Sequence, residues 1–514
     1  MPEYLSPGVY VEEVNAGPRP IEGVSTSTAG FVGATERGPT EARLVTSWSD
    51  FLRWYGGYVP DVSYLPHAIQ GFFDNGGQRC FVARVVGDQA GTAVGSIGTL
   101  NVFASGHGTW GNKIMVKVSD ASQVGRPWSR VSILYFKNPP APADFVDPTS
   151  SKPEDLANPK RREPDVLEVF DNLTHLGGAS NNVATVLNAS SRLVRVEWSG
   201  AAQKLPNQDF AALATQGNDG AALTAAEYIG DLSKPVDKLT GLAALESIDE
   251  ISLLSVPDEV RQGLSTITDE VINQCERLHD RFGIISTTQG QSDAGHVARP
   301  GRDTSYAGFY YPWIEIFDTS INDTRLIPPS GHVTGIFART DIERGVHKAP
   351  ANEIVRGARD IEFPVPKGVQ DILNPKGINC IRDFRPSLRG IRLWGARTLS
   401  SDGQWKYVNV RRLFLFVEES IDEGTQWVVF EPNDEPTWAA VRRSISNFLE
   451  RVWRSGALFG ATKEEAFFVK CDRTTMTQDD IDNGRLVCLI GICPVKPAEF
   501  VIFRISQKTA EAQA

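Results

Sequence analysis

The chain has 514 residues, 41% of them hydrophobic and 22% charged, an ordinary composition for a globular protein with core enough for about two to four domains. No apolar run reaches about 18 residues, so no transmembrane helix and no direct membrane insertion are expected. The net charge of −11 is uneven: from Cys380 onward 19 Lys+Arg meet 18 Asp+Glu, net +1, while the rest, 33 against 45, carries −12. An acidic bulk argues against nucleic acid as a partner.

The opening Met1-Pro2-Glu3-Tyr4 lacks a basic region followed by an apolar run, so no secretory leader is expected. Val9, Tyr10 and Val11 are strong strand formers behind a Pro7-Gly8 turn signal. A breaker-rich linker, Asn15 to Pro20, follows. A short strand on a linker has unpaired backbone groups and must find a partner. That partner is either the same subunit or, by strand addition, the next one.

Residues 21–87 begin a mixed α/β domain. A strand is expected at 30–33, helices at 48–55 and 65–75, and a buried strand at 80–86. Gly76-Gly77 has no following Gly-Lys-Ser/Thr and reads as a helix C-cap rather than a phosphate loop. Residues 88–235 change character. Strand-like runs at 114–118, 131–136, 166–170 and 193–198 lie among Gly, Pro, Ser and Asn, and 138–164 reads as a Pro-rich surface loop. This stretch is expected to be an inserted, β-rich, sandwich-like domain.

Residues 236–370 return to α/β. A strand ending at Pro257 leads into a helix with Ile267, Val271, Ile272, Cys275 and Leu278 on one face, then a strand at 282–286. That order is a β-α-β unit and favours a parallel pair. Tyr306 to Phe317 is aromatic and strand-like, and 336–350 reads as a mixed-charge helix turning at Gly345.

Residues 371–514 form the expected C-terminal domain. Trp438, Val441, Ile445, Phe448, Leu449, Val452 and Trp453 recur at steps of three and four on one side of a helix. Asp434 is its expected N-cap and Gly456 its stop. Arg443, Asn447, Glu450 and Arg454 recur on the other side, with Arg442 and Arg451 at the flanks. That face is either a solvated surface or a positive docking rail for an acidic protein partner. The tail, Phe500-Val501-Ile502-Phe503, is strand-like. Six cysteines (80, 275, 380, 471, 488, 493) are too few and too scattered for a disulfide framework, so buried free thiols in a reducing cytoplasm are expected.

An enzymatic reading is tempting at Ser330-Gly331-His332, with Asp341 and His347 nearby, which supplies the residue types of a hydrolase triad. The serine lies in Pro328-Pro329-Ser330-Gly331 and not in a Gly-x-Ser-x-Gly elbow. No metal-ligand spacing or nucleotide fingerprint occurs. No catalytic residue, metal or cofactor is expected, and the chain is not expected to be an enzyme.

Several stretches, in this order, resemble the contractile tail sheath proteins of myophage tails and contractile injection systems: residues 6–13, 23–33, 72–77, 110–112, 328–352, 389–400, 424–433 and 497–500. The resemblance implies a multidomain α/β (α+β) fold: an N-terminal strand arm and linker (1–20), a middle α/β domain (21–87 with 236–370), an outward-facing β-rich insertion (88–235), and a tube-facing C-terminal domain with a strand arm (371–514). It implies stacked hexameric rings around an inner tube protein, with baseplate and terminal cap proteins as further partners. Neighbouring subunits would share the arms at Val9, Tyr10, Val11 and at Phe500, Val501, Ile502, Phe503. Contraction would drive the tube through a target envelope. The tube-facing cations would be Arg442, Arg443, Arg451, Arg454 and Lys463. Assembly is expected in the cytoplasm, as part of a phage tail or tail-like particle. A non-contractile shell or surface lattice, or a serine hydrolase, are the alternatives.

Overall fold

A computed structural model of the chain describes residues 20–59, 61–213 and 216–504. The expected arm residues Val9, Tyr10 and Val11 lie outside the described residues. The chain divides into two compact units: residues 25–412, and residues 413–514 together with 1–24.

The larger unit is built on a nine-stranded sheet. Its order runs Glu353–Ile354, Ile391–Leu393, Ile378–Asp383, Ala307–Tyr311, Phe282–Ser286, Leu253–Ser255, Ala29–Gly33, Cys80–Arg84, Arg43–Val45. The six strands from Ile378–Asp383 to Cys80–Arg84 are parallel, and antiparallel strands close both sides. The expected β-α-β unit is present: helix Thr266–Leu278 joins the parallel neighbours Leu253–Ser255 and Phe282–Ser286. Both faces are covered, which is why these strands read as continuous apolar runs. On one face Phe31 meets Phe72 with ring centroids 5.5 Å apart, and Phe337 meets Phe282 and Tyr310 at 6.0 and 6.2 Å. On the other, Val32 and Leu254 join Ile267, Val271 and Cys275 of helix Thr266–Leu278. Strands Ile378–Asp383 and Ile391–Leu393 follow residue 371, where the sequence suggested a separate domain, yet they hydrogen-bond in this sheet.

The β-rich insertion is two antiparallel sheets. One is Val94–Ile97, Leu100–Ala104 and Val194–Trp198; the other is Gln208–Ala212, Ile114–Asp120, Ser129–Tyr135 and Val166–Leu173. Val102, Val196, Val116, Val131 and Ile133 from both sheets share one core with Trp110. The strands at 94–97, 100–104 and 208–212 escaped sequence reading because they are short and lack a strong run of β-branched residues.

Helix Ser330–Arg344 departs from expectation. It begins six residues before the anticipated Ile336 and is buried from Ser330 to Asp341 instead of presenting a mixed-charge surface. It lies against helix Leu65–Asp74 at backbone distance. A Cβ on Gly331 would stand 2.3 Å from the Cα of Ala68, and one on Gly71 would meet the His332 ring at 2.2 Å. The glycines therefore serve close helix approach.

In the smaller unit the run Leu413 to Val417, noted only as apolar, belongs to helix Val408–Thr425. Helix Glu435–Arg454 has the expected boundaries, with the Asp434 side chain accepting from Thr437 N at 3.0 Å and Gly456 in the left-handed region at φ +85°. Its apolar face buries Trp438, Val441, Ile445, Phe448, Leu449 and Val452. A two-stranded antiparallel sheet, Phe467–Lys470 with Leu489–Ile492, completes the unit.

Candidate assembly surfaces

The root of the N-terminal arm is anchored inside the smaller unit. Ile21 is fully buried, and its side chain lies where a Cβ on Gly424 would fall, 2.7 Å away. Val24 N donates to Ser420 Oγ at 3.1 Å, and Arg451 Nη2 donates to the Ile21 carbonyl. Arg451 thus ties down the chain that leads to the arm.

The other cations of the expected rail divide in the same way. Arg442 is half-buried and donates to the Cys471 carbonyl at 2.8 Å, an intramolecular role. Arg454 is exposed and pairs with Glu450 one turn earlier. Such exposed pairs are worth about 0.3–0.5 kcal/mol and exchange partners readily. Arg443 and Lys463 are exposed and have no ion-pair partner among the described residues. The sequence placed these groups on one helix face; their carbonyl commitments depend on chain segments far away and left no local signal.

At the other end, Phe500, Val501, Ile502 and Phe503 are between 69% and 83% exposed and form no strand with any described part of the chain. The sheet of Phe467–Lys470 and Leu489–Ile492 pairs with no other described strand, and Phe468 and Leu489 are exposed on it. A two-stranded sheet alone is marginal in water. Each of its strands has an outer edge that pairs with no other described strand, and such edges bind extended segments. The apolar runs Phe467-Phe468-Val469 and Leu489-Ile490 carried the strand signal in the sequence.

The triad residues do not assemble. Both oxygens of Asp341 are taken by Arg412, whose Nη1 and Nη2 donate at 2.9 and 2.6 Å. Arg412 also donates to the Thr26 carbonyl at 2.7 Å. Ser330 is fully buried at the start of its helix, and its hydroxyl has no partner among the described residues. His332 is buried against Gly71, and burial pushes its pKa down to about 4. The His347 carbonyl accepts from Asn409 Nδ2 at 2.8 Å, which ties that loop to the helix carrying Arg412. Among the described residues no group of His, Cys, Asp and Glu could hold a metal ion, and no helix is long and apolar enough to cross a membrane.

Solved structures share this fold. The sheath of the PVC extracellular contractile injection system, contracted, aligns over 99% of this chain and 99% of its own with TM-score 0.59 and 23% identity. The contracted helical sheath of the anti-feeding prophage aligns over 98% and 100%, with TM-score 0.59 and 24% identity. The fold is therefore that of contractile sheath proteins. A family model described as the phage tail sheath protein central domain matches residues 221–399, and one described as the phage tail sheath C-terminal domain matches 400–508; together they take in more than half of the sequence. The chain belongs to the phage tail sheath family. The tail sheath protein of Burkholderia phage BcepMu is 30% identical over 267 residues, 47% of this chain and 54% of that protein. That of Escherichia phage P2 is 26% identical over 288 residues, 52% and 66% respectively. By sequence the chain spans about half the length of several relatives it matches.

Proposed function

We propose that this chain is the structural subunit of a contractile sheath, polymerising as stacked hexameric rings around an inner tube. One observation carries the reading: in a member of the tail sheath family, the apolar tail Phe500–Phe503 is exposed and forms no strand with any described residue, and the two-stranded sheet of the same unit pairs with no other described strand. Strand addition between copies satisfies both. The tail of one copy, and the Val9–Val11 arm of another, complete the sheet of Phe467–Lys470 and Leu489–Ile492 in a neighbour. Each junction of about five main-chain bonds, at ~0.5–1.5 kcal/mol net each, contributes several kcal/mol before side-chain burial. The linker from residue 15 to 20, ahead of the anchored Ile21, reaches ~20 Å when extended, enough to keep a junction closed while the body moves.

Contraction then needs no cofactor or catalysis. The extended array is the higher-energy packing, and rigid-body repacking of interfaces releases the difference and drives the tube outward. Arg443, Arg454 and Lys463 face an acidic inner tube through exchangeable contacts, with Arg442 and Arg451 behind them. The insertion 88–235 faces outward, and baseplate and cap proteins hold the two ends. The protein acts as part of a phage tail or tail-like particle assembled in the cytoplasm, and is not an enzyme.

The test is electron microscopy of particles made with chains lacking residues 1–14 or 500–514. The expected result is loss of striated hollow cylinders with folded monomer retained. Normal contractile cylinders from both deletions would overturn the strand-sharing reading, and flat or closed lattices from the intact chain would favour a non-contractile shell. Esterase activity that is lost on Ser330→Ala would restore the enzymatic reading.

A further inference from the structure

The two strands of the C-terminal sheet are in a register that sets Lys470 opposite Leu489. Continued one step past the last rung, that register sets Cys471 opposite Cys488. The two thiols are near enough for each to influence the ionisation of the other. Cys471 is buried with Trp438 and Met476, and Leu486, Val487 and Cys488 pack against that cluster. The ends of both strands are fixed. Thr475 Oγ1 donates to the Val487 carbonyl and to the Asp472 carbonyl, each at 2.8 Å, and Arg442 holds the Cys471 carbonyl. Directly opposed residues of an antiparallel pair have Cβ atoms about 4.5–5.5 Å apart. A disulfide needs about 3.5–4.5 Å, so closure costs a shift of about 1 Å.

We propose that Cys471 and Cys488 are a redox-modifiable pair that closes to an intramolecular cross-strand disulfide and staples the 472–487 loop, including helix Gln478–Asp482, to its sheet. The oxidant is a low-molecular-weight disulfide. The Cys488 thiolate, the more accessible of the two, attacks one sulfur of it and releases one small thiol. Cys471 loses its proton and displaces the second small thiol from the mixed disulfide. Two protein thiols are oxidised, one external disulfide is reduced to two thiols, and both protons leave with them. Burial raises both thiols, Cys488 to about 12, so both stay protonated near neutral pH and the exchange is slow in either direction. The pair keeps whichever state it last equilibrated to. This inference is independent of the sheath reading.

The experiment uses the purified full-length chain, incubated with oxidised glutathione or with dithiothreitol, then denatured in N-ethylmaleimide, digested and weighed. After oxidation a peptide pair joining Cys471 to Cys488 is expected, two hydrogens lighter than its parts and absent after dithiothreitol. The oxidised chain should also unfold roughly 5–10 °C higher in the transition of its C-terminal unit, a shift that Cys488→Ser removes. Maleimide on both cysteines after oxidation, a glutathione adduct stalled on Cys488, or linkage of either residue to Cys493 or to a second chain would each overturn the proposal. The mass readings come from the unmodified sequence, so they stand even where Cys488→Ser fails to fold.

Discussion

Arg412 sits at 3% side-chain exposure with both of its terminal nitrogens on the carboxylate of Asp341. Removing one member of such a pair strands the other charge in a medium that cannot solvate it. Arg412→Ala should therefore destabilise the larger unit by about 3–5 kcal/mol in denaturant unfolding, and Arg412→Met with Asp341→Leu should recover most of that loss. Glu259 poses the complementary case. Its carboxylate accepts from Ser286 N at 2.8 Å and Thr268 Oγ1 at 3.1 Å but meets no cation there, and burial raises its pKa to about 8. The folded state thus holds a proton that the unfolded chain gives up near 4.5. The resulting stabilisation is complete below about pH 4.5 and is lost as pH rises through 8. Glu259→Gln keeps the acceptor for Ser286, so it should flatten the fall in melting temperature between pH 5 and 8 and raise stability at pH 8. An unchanged pH profile would show that the group is ionised throughout.

Two elements depend on contacts that no single helix or strand reveals. Helices Leu65–Asp74 and Ser330–Arg344 touch through Gly331 and Gly71, so a methyl at Gly331 must push backbone and not merely a side chain. Gly331→Ala is expected to cost about 3 kcal/mol or more, or to leave the chain insoluble, because overpacking at a backbone contact cannot relax by rotamer change. The second element is the arm root. Arg451 donates to the Ile21 carbonyl, and Val24 is bonded to Ser420. Arg451→Ala should raise amide exchange in residues 21–24 and leave exchange within the nine-stranded sheet unchanged. Equal protection in both proteins would mean that burial of Ile21 alone holds the root.

For the whole molecule the question is which charges are free to meet a partner. Arg442 and Arg451 serve their own chain, whereas Arg443 is exposed and Arg454 shares only a surface pair with Glu450. Exposed interface charges govern encounter and salt sensitivity, while internally bonded ones govern folding. Arg443→Glu with Arg454→Glu should therefore give tube-less or prematurely contracted sheaths from a subunit of unchanged melting temperature. Arg442→Ala should lower the melting temperature. Extended particles of normal length from the double reversal would remove the tube-facing assignment.

What the sequence determined by itself was local or periodic. The 3.6-residue recurrence from Trp438 to Val452, the Asp434 cap and the β-α-β order around helix Thr266–Leu278 all survive in the fold. Propensity, capping and period act over a few residues, and a chain displays them in order. Tertiary structure alone decided that Asp341 answers to Arg412 and not to a histidine, and that Arg451 holds Ile21 while Arg443 stays free. It also decided that Ser330 begins a fully enclosed helix. Each of those outcomes turns on a partner tens to hundreds of positions away. Which pairs meet is set by how the sheets and helices stack, and no local signal records that choice.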